Sequence, residues 1–191
     1  MAHVAHPLTP ADLIRDADED AAELFRQFGS IVPVYLAYLA SGERHAVGVP
    51  ALFESPATKA LVNPVLRETF ARSSLPHVGG VLIVEAWLAE MPRYVGAIYA
   101  RDPVGAAAEI RAVPPTSEHP QRREVVLYAA EILSPDRRVV LQALGCREID
   151  RVTRGLADLV VNTMPAPEAA KLGFNQLGFG IVQPLQPTGG A

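Results

Sequence analysis

Val78-Gly79-Gly80-Val81-Leu82-Ile83-Val84-Glu85-Ala86-Trp87-Leu88-Ala89 is the stretch on which the fold turns. Strand alternation puts Val81, Ile83, Glu85 and Trp87 on one face and Leu82, Val84, Ala86 and Leu88 on the other. Both faces are apolar, which predicts a central strand rather than a half-wet edge. The run is far too short to span a bilayer as a helix, and Glu85 interrupts it. Glu85 is the misfit, a carboxylate among large apolar neighbours.

Upstream, Thr9-Pro10-Ala11-Asp12 reads as an N-cap, a proline at the first helical position and an acid at the third. Leu13, Ile14, Ala17, Ala21, Leu24, Phe25 and Phe28 then recur at helical spacing until Gly29 supplies a stop. Asp16, Asp18, Glu19, Asp20 and Glu23 fill the remaining faces. Residues 31–39 and 45–49 predict a hairpin about the turn Ser41-Gly42-Glu43. Ser55-Pro56 opens a second predicted helix, which Asn63-Pro64 kinks or restarts.

Downstream, residues 90–121 lose all period, and prolines and glycines punctuate them. A connection of that length is the first place to look for function. Residues 124–133 and 138–145 then predict a second hairpin joined by Ser134-Pro135-Asp136. After Cys146 the signal weakens, and residues 156–161 read as a last strand or a short helix. The domain expected from this pattern covers residues 9–163. Residues 1–8 form a disordered start and residues 164–191 a Pro/Gly-rich tail. The tail is apolar around Phe174 and Phe179 without a regular period, which leaves two readings open, docking onto a partner or onto the body, or a mobile tail.

The fold class expected is therefore α+β. An antiparallel sheet of about five strands is covered by two helices, in the order α-β-β-α-β-β-β. That order is similar to roadblock/longin-like domains, which act by protein contact.

Composition narrows the function classes. Of 191 residues 49% are apolar and 20% charged, enough apolar content for a packed body rather than a disordered chain. A formal charge of −4 makes nucleic acid an unlikely partner, because phosphate contacts need a basic surface. Arg122/Arg123 and Arg137/Arg138 are pairs, not tracts. The single cysteine, Cys146, can form neither an internal disulfide nor a cysteine-based zinc site alone. No leader-like segment opens the sequence, so a cytoplasmic protein is expected, or a virion protein if it is a phage component.

No phosphate-binding glycine loop, dinucleotide fingerprint, zinc-protease helix or nucleophile elbow is present. The best candidate cluster joins Glu85 and Trp87 to Ser117-Glu118-His119-Pro120-Gln121-Arg122-Arg123-Glu124. Pairing of the central strand with the second hairpin brings these residues to one strand end. Glu85, Glu118, His119 and Glu124 are the catalytic candidates, since carboxylates with an imidazole can do acid–base work or hold a hard metal. Trp87, Arg122, Arg123, Phe174 and Phe179 are the binding candidates. The plainer expectation is that Glu85 pairs with Arg122 or Arg123 and ties the loop to the sheet. No metal site and no cofactor is expected.

These same residues resemble a family of bacterial and phage proteins of unassigned activity, which carry a "SEAW"-like strand and a "PSExPxRxE"-like loop. The resemblance covers roughly residues 10–150. It departs at Val84, where serine is usual, and at Thr116, where proline is usual. It implies a shared fold and no particular reaction. The function expected is a non-enzymatic protein-binding or regulatory module of the kind a phage or mobile element encodes. Its partner is a protein or a second copy. A metal-dependent hydrolase or nuclease using Glu85, Glu118, Glu124 and His119 is the first alternative, and a phage structural protein is the second.

Overall fold

The computed structural model describes residues 8–49, 69, 77–88, 118, 120, 122–135 and 139–165. One helix leads, α1 (Pro10–Phe28), followed by β1 (Val34–Leu39), β2 (Arg44–Gly48), β3 (His77–Leu88), β4 (Arg123–Leu133), β5 (Val139–Asp150), β6 (Gly155–Leu156) and β7 (Val160–Pro165). All pairings are antiparallel, in the order β2-β1-β3-β4-β5-β6, and β7 also joins β5.

The start of α1 follows its sequence closely. The Thr9 hydroxyl accepts the Asp12 N–H at 3.2 Å, and the Asp12 carboxylate accepts the Thr9 N–H at 3.2 Å. That reciprocal pair satisfies two helix-end donors. It also holds the Asp12 carboxyl below its ordinary range, chiefly through the Thr9 side chain. Gly29 closes the helix at φ 71, in the left-handed region that favours glycine.

The sheet curves into a half-barrel with different contents on its two faces. Leu13, Ile14, Ala17, Ala21 and Phe25 of α1 pack onto Val81, Ile83, Val126, Tyr128 and Ala143. Tyr35, Leu82, Val84, Val125, Leu127 and Ala129 form a second buried cluster on the other face. The alternation expected along β3 is thus real, and β3 is central, between β1 and β4.

The fold class departs from expectation. A five-strand α+β layer under two helices, arranged as in roadblock/longin-like domains, does not describe this protein. The sheet has seven strands, and a single helix, α1, covers it among the described residues. The second helix expected from Ser55-Pro56 lies outside the described residues. The missed strands have a physical reason. β5 continues past Cys146 to Asp150 through charged residues that spoil any apolar alternation, and β7 then pairs back along it. Arg147 and Glu148 are tolerated in a strand because distant residues pair with them. Arg147 bonds Asp18 and Glu148 bonds Arg123. No helix among the described residues is long and apolar enough to cross a membrane.

Candidate functional site

The sheet does bring two of the candidate carboxylates together, but around an arginine the sequence reading did not single out. Glu85 sits on the helix side of β3, and Glu124 lies near the start of β4, opposite Trp87. Arg151, in the turn after β5, donates through Nη2 to Glu85 at 2.7 Å and also bonds Glu124. Its Nε reaches Glu124 at 3.1 Å, and its Nη1 donates to the Gly29 carbonyl at 2.6 Å. The guanidinium lies 5.6 Å from the Phe25 ring centroid. The other oxygen of Glu85 accepts the Ile31 N–H at 2.7 Å.

One cation thus ties together the end of α1, β3, β4 and the β5–β6 turn. The Arg151 hydrogen bonds hold the Glu124 carboxyl below its usual range, and Glu124 in turn raises the guanidinium further above its own. Glu85 is ion-paired with Arg151 rather than with Arg122 or Arg123, and the contact ties the β5–β6 turn and the end of α1 to the sheet, not the 90–121 connection. A carboxylate pair saturated by a bidentate guanidinium has few lone pairs left for a metal or a proton relay.

Trp87, Arg122 and Arg123 lie at the same strand end but take other partners. Trp87 is 46% exposed, with the Arg122 guanidinium stacked 5.1 Å from its ring centroid. Arg123 reaches Glu148 at 3.4 Å. Glu118 is exposed. His119, Phe174 and Phe179 lie outside the described residues. Among the described residues no group of three His, Cys, Asp or Glu side chains is placed to hold a metal. Cys146 is half-buried, and that burial raises its thiol, which leaves it a poor nucleophile.

Other polar clusters are structural. The Tyr128 hydroxyl donates to Asp18 at 2.5 Å, and Arg147 holds the same carboxylate at 3.1 Å. Arg44 bridges Asp16 and Asp20 at 2.8 and 2.9 Å, and Tyr38 also donates to Asp16. On the sheet's other face the Gln142 amide donates to the buried Glu131 at 2.6 Å, across a directly opposed strand pair. Each of these joins segments 11 to 129 residues apart, so no local motif announces it.

The feature best suited to recognition is apolar. Among the described residues α1 packs chiefly on β3, β4, β5 and β7, and it meets the β1–β2 side of the same face less fully, through Tyr38 and Arg44. Two adjoining clefts of about 320 and 500 Å³ run between the helix and the first hairpin, sharing Leu24 and Val34 in their walls. Val34, Leu36 and Ile83 form the floor. Ala46 and Gly48 of β2 are small and leave the space open. At the mouth Phe28 is 70% and Val32 60% exposed. The apolar stripe expected along α1 therefore divides. Leu13, Ile14, Ala17, Ala21 and Phe25 are buried, whereas Leu24 and Phe28 face this groove. The Arg44 bridge to Asp16 and Asp20 closes the other end.

Comparison with family models, with curated proteins and with solved structures finds no match. The chemistry of the groove is therefore the guide to function.

Proposed function

We propose that this chain is a non-enzymatic protein-binding module whose recognition surface is the groove between α1 and the β1–β2 hairpin. The observation that carries this is the exposure of Phe28 and Val32 at the mouth of an apolar cleft that continues inward to Val34 and Leu36. Isolated surface apolar residues are ordinary, but a continuous concave apolar strip is characteristic of interaction sites. β2 adds a second element of recognition. No described strand pairs with its outer edge, so its backbone can receive an extended segment whose alternate side chains enter the groove.

The test uses apolar peptides of eight residues, selected from a display library against the full chain. Binding is expected to weaken at least tenfold in Phe28→Asp and in Val32→Asp, because a charge then enters the apolar mouth. Val152→Asp alters an exposed residue of the β5–β6 turn and is expected to leave affinity unchanged. Failure to select any peptide, or equal affinity in all three variants, overturns the reading.

A further inference from the structure

We infer that the groove is the seat of the chain's own residues 177–181, added as a strand to the outer edge of β2; this rests on the groove being the recognition surface. Three observations point to this occupant. The first is chemical fit. The stretch Leu172-Gly173-Phe174-Asn175-Gln176-Leu177-Gly178-Phe179-Gly180-Ile181-Val182 holds no charged residue. The mouth and floor of the groove are Leu24, Phe28, Val32, Val34 and Leu36. An acidic segment would lose its hydration there and would face Asp20 and Glu23 on the helix-side wall, whereas an uncharged apolar segment meets the apolar floor without that cost.

The second is period. The tail as a whole has no regular repeat, but Leu177, Phe179 and Ile181 alternate with Gly178 and Gly180. An extended chain puts the three large side chains on one face and the glycines on the other. On β2 the helix-side positions are Arg44, Ala46 and Gly48, opposite Tyr38, Leu36 and Val34. The two nearest the mouth are small. A neighbouring strand with large residues on that side fills the space that Ala46 and Gly48 leave.

The third is reach. β7 ends at Pro165. A strand outside β2 lies six strand spacings from β7, about 29 Å along the sheet at ~4.8 Å each. Residues 166–176 span about 36 Å when extended, at ~3.3 Å per residue. The curvature of the half-barrel shortens the direct path further. The docking is therefore intramolecular, and it makes the segment a competitor of any external ligand for the groove.

The experiment uses the full chain with Cys146→Ser. His45→Cys, on the exposed β2 edge and away from the helix side, is combined in turn with Gly178→Cys and Gly180→Cys. These pairs leave Leu177, Phe179 and Ile181 intact. At least one pair is expected to form an intramolecular disulfide tenfold faster than Thr163→Cys with the same tail cysteine. Thr163 is exposed on β7 and much nearer in sequence, so random encounter favours the control. Adding Phe179→Asp is expected to slow the fast pair to the control rate. Equal rates from the start, or disulfides only between two copies, overturn the inference.

A second measurement separates this inference from the reading beneath it. Phe179→Asp alone is expected to tighten binding of the selected peptides about tenfold, by removing the internal competitor. If the disulfide fails while peptides still bind through Phe28, the tail is not the occupant and the groove remains a binding surface. If the disulfide forms and no peptide is ever selected, the groove serves only its own tail.

Discussion

Removing the Arg151 guanidinium leaves Glu85 and Glu124 side by side with no cation between them, and leaves the Gly29 carbonyl without its donor. Arg151→Met is expected to cost about 2 kcal/mol at neutral pH by urea unfolding, a modest figure because the arginine side chain is partly exposed. The pH dependence has a definite sign. The folded Glu124 carboxyl titrates below its unfolded range. Its contribution is therefore complete above about pH 4.3 and is lost as pH falls through the lower folded value. The gap between wild type and variant should narrow below that pH, and a constant gap down to pH 3 would mean that stacking on Phe25 dominates. Gly80 is the second decisive residue. A Cβ there would stand 1.8 Å from the hydroxyl of the buried Tyr35. Gly80→Ala is expected to cost about 3 kcal/mol or to prevent folding, because the crowded partner is a buried ring with no room to turn. Gly42, in an open turn at φ 88, has free space around it, so Gly42→Ala should cost only about 1 kcal/mol of backbone strain.

Among the elements, α1 is set by its own ends, whereas the later strands are set by their neighbours. Thr9→Ala removes the hydroxyl half of the capping box and leaves the backbone half, in which the residue-9 N–H donates to Asp12. Thermal unfolding should report a loss of about 1 kcal/mol, and Thr9→Ser should recover most of it. A loss near zero would show that packing of the apolar stripe alone holds the first turn. The strands after Cys146 work differently. Charged residues of β5 remain in the sheet because Asp18, Arg123 and Ala157 supply their partners. Their alternation is one of ion pairs and hydrogen bonds rather than of hydrophobicity. An apolar-period reading therefore ends at Cys146 although the strand runs on.

At the scale of the whole molecule the helix is narrower than the sheet it covers. That mismatch creates the groove, and Phe28 belongs to the part of α1 left over. Because Phe28 is already 70% exposed, Phe28→Asp should shift stability by less than about 0.5 kcal/mol. Its effect should fall on ligand affinity instead. A loss of several kcal/mol, read by urea unfolding and persisting when Phe179→Asp is also present, would make Phe28 a packing residue of the body rather than part of a docking surface. The pairing of a stability measurement with a binding measurement is what separates a recognition surface from an incompletely filled core.

The sequence by itself determined what local chemistry can determine. The cap and stop of α1 follow from Thr9, Asp12 and Gly29, each acting within four residues. The central strand follows from two apolar faces in one run, and Glu85 stands out within it because a carboxylate there needs a partner. Tertiary structure alone decided which partner. Arg151 lies 66 residues from Glu85, and its sequence neighbourhood resembles any solvated turn. The same holds for the number of strands, where β7 joins β5 by backbone bonds that any sequence can make. The groove was legible only in part. Leu24 and Phe28 carry the helical period, but whether an apolar residue is buried or left open depends on how far the sheet extends beneath the helix. That extent comes from strand pairing between distant segments, which no local pattern encodes.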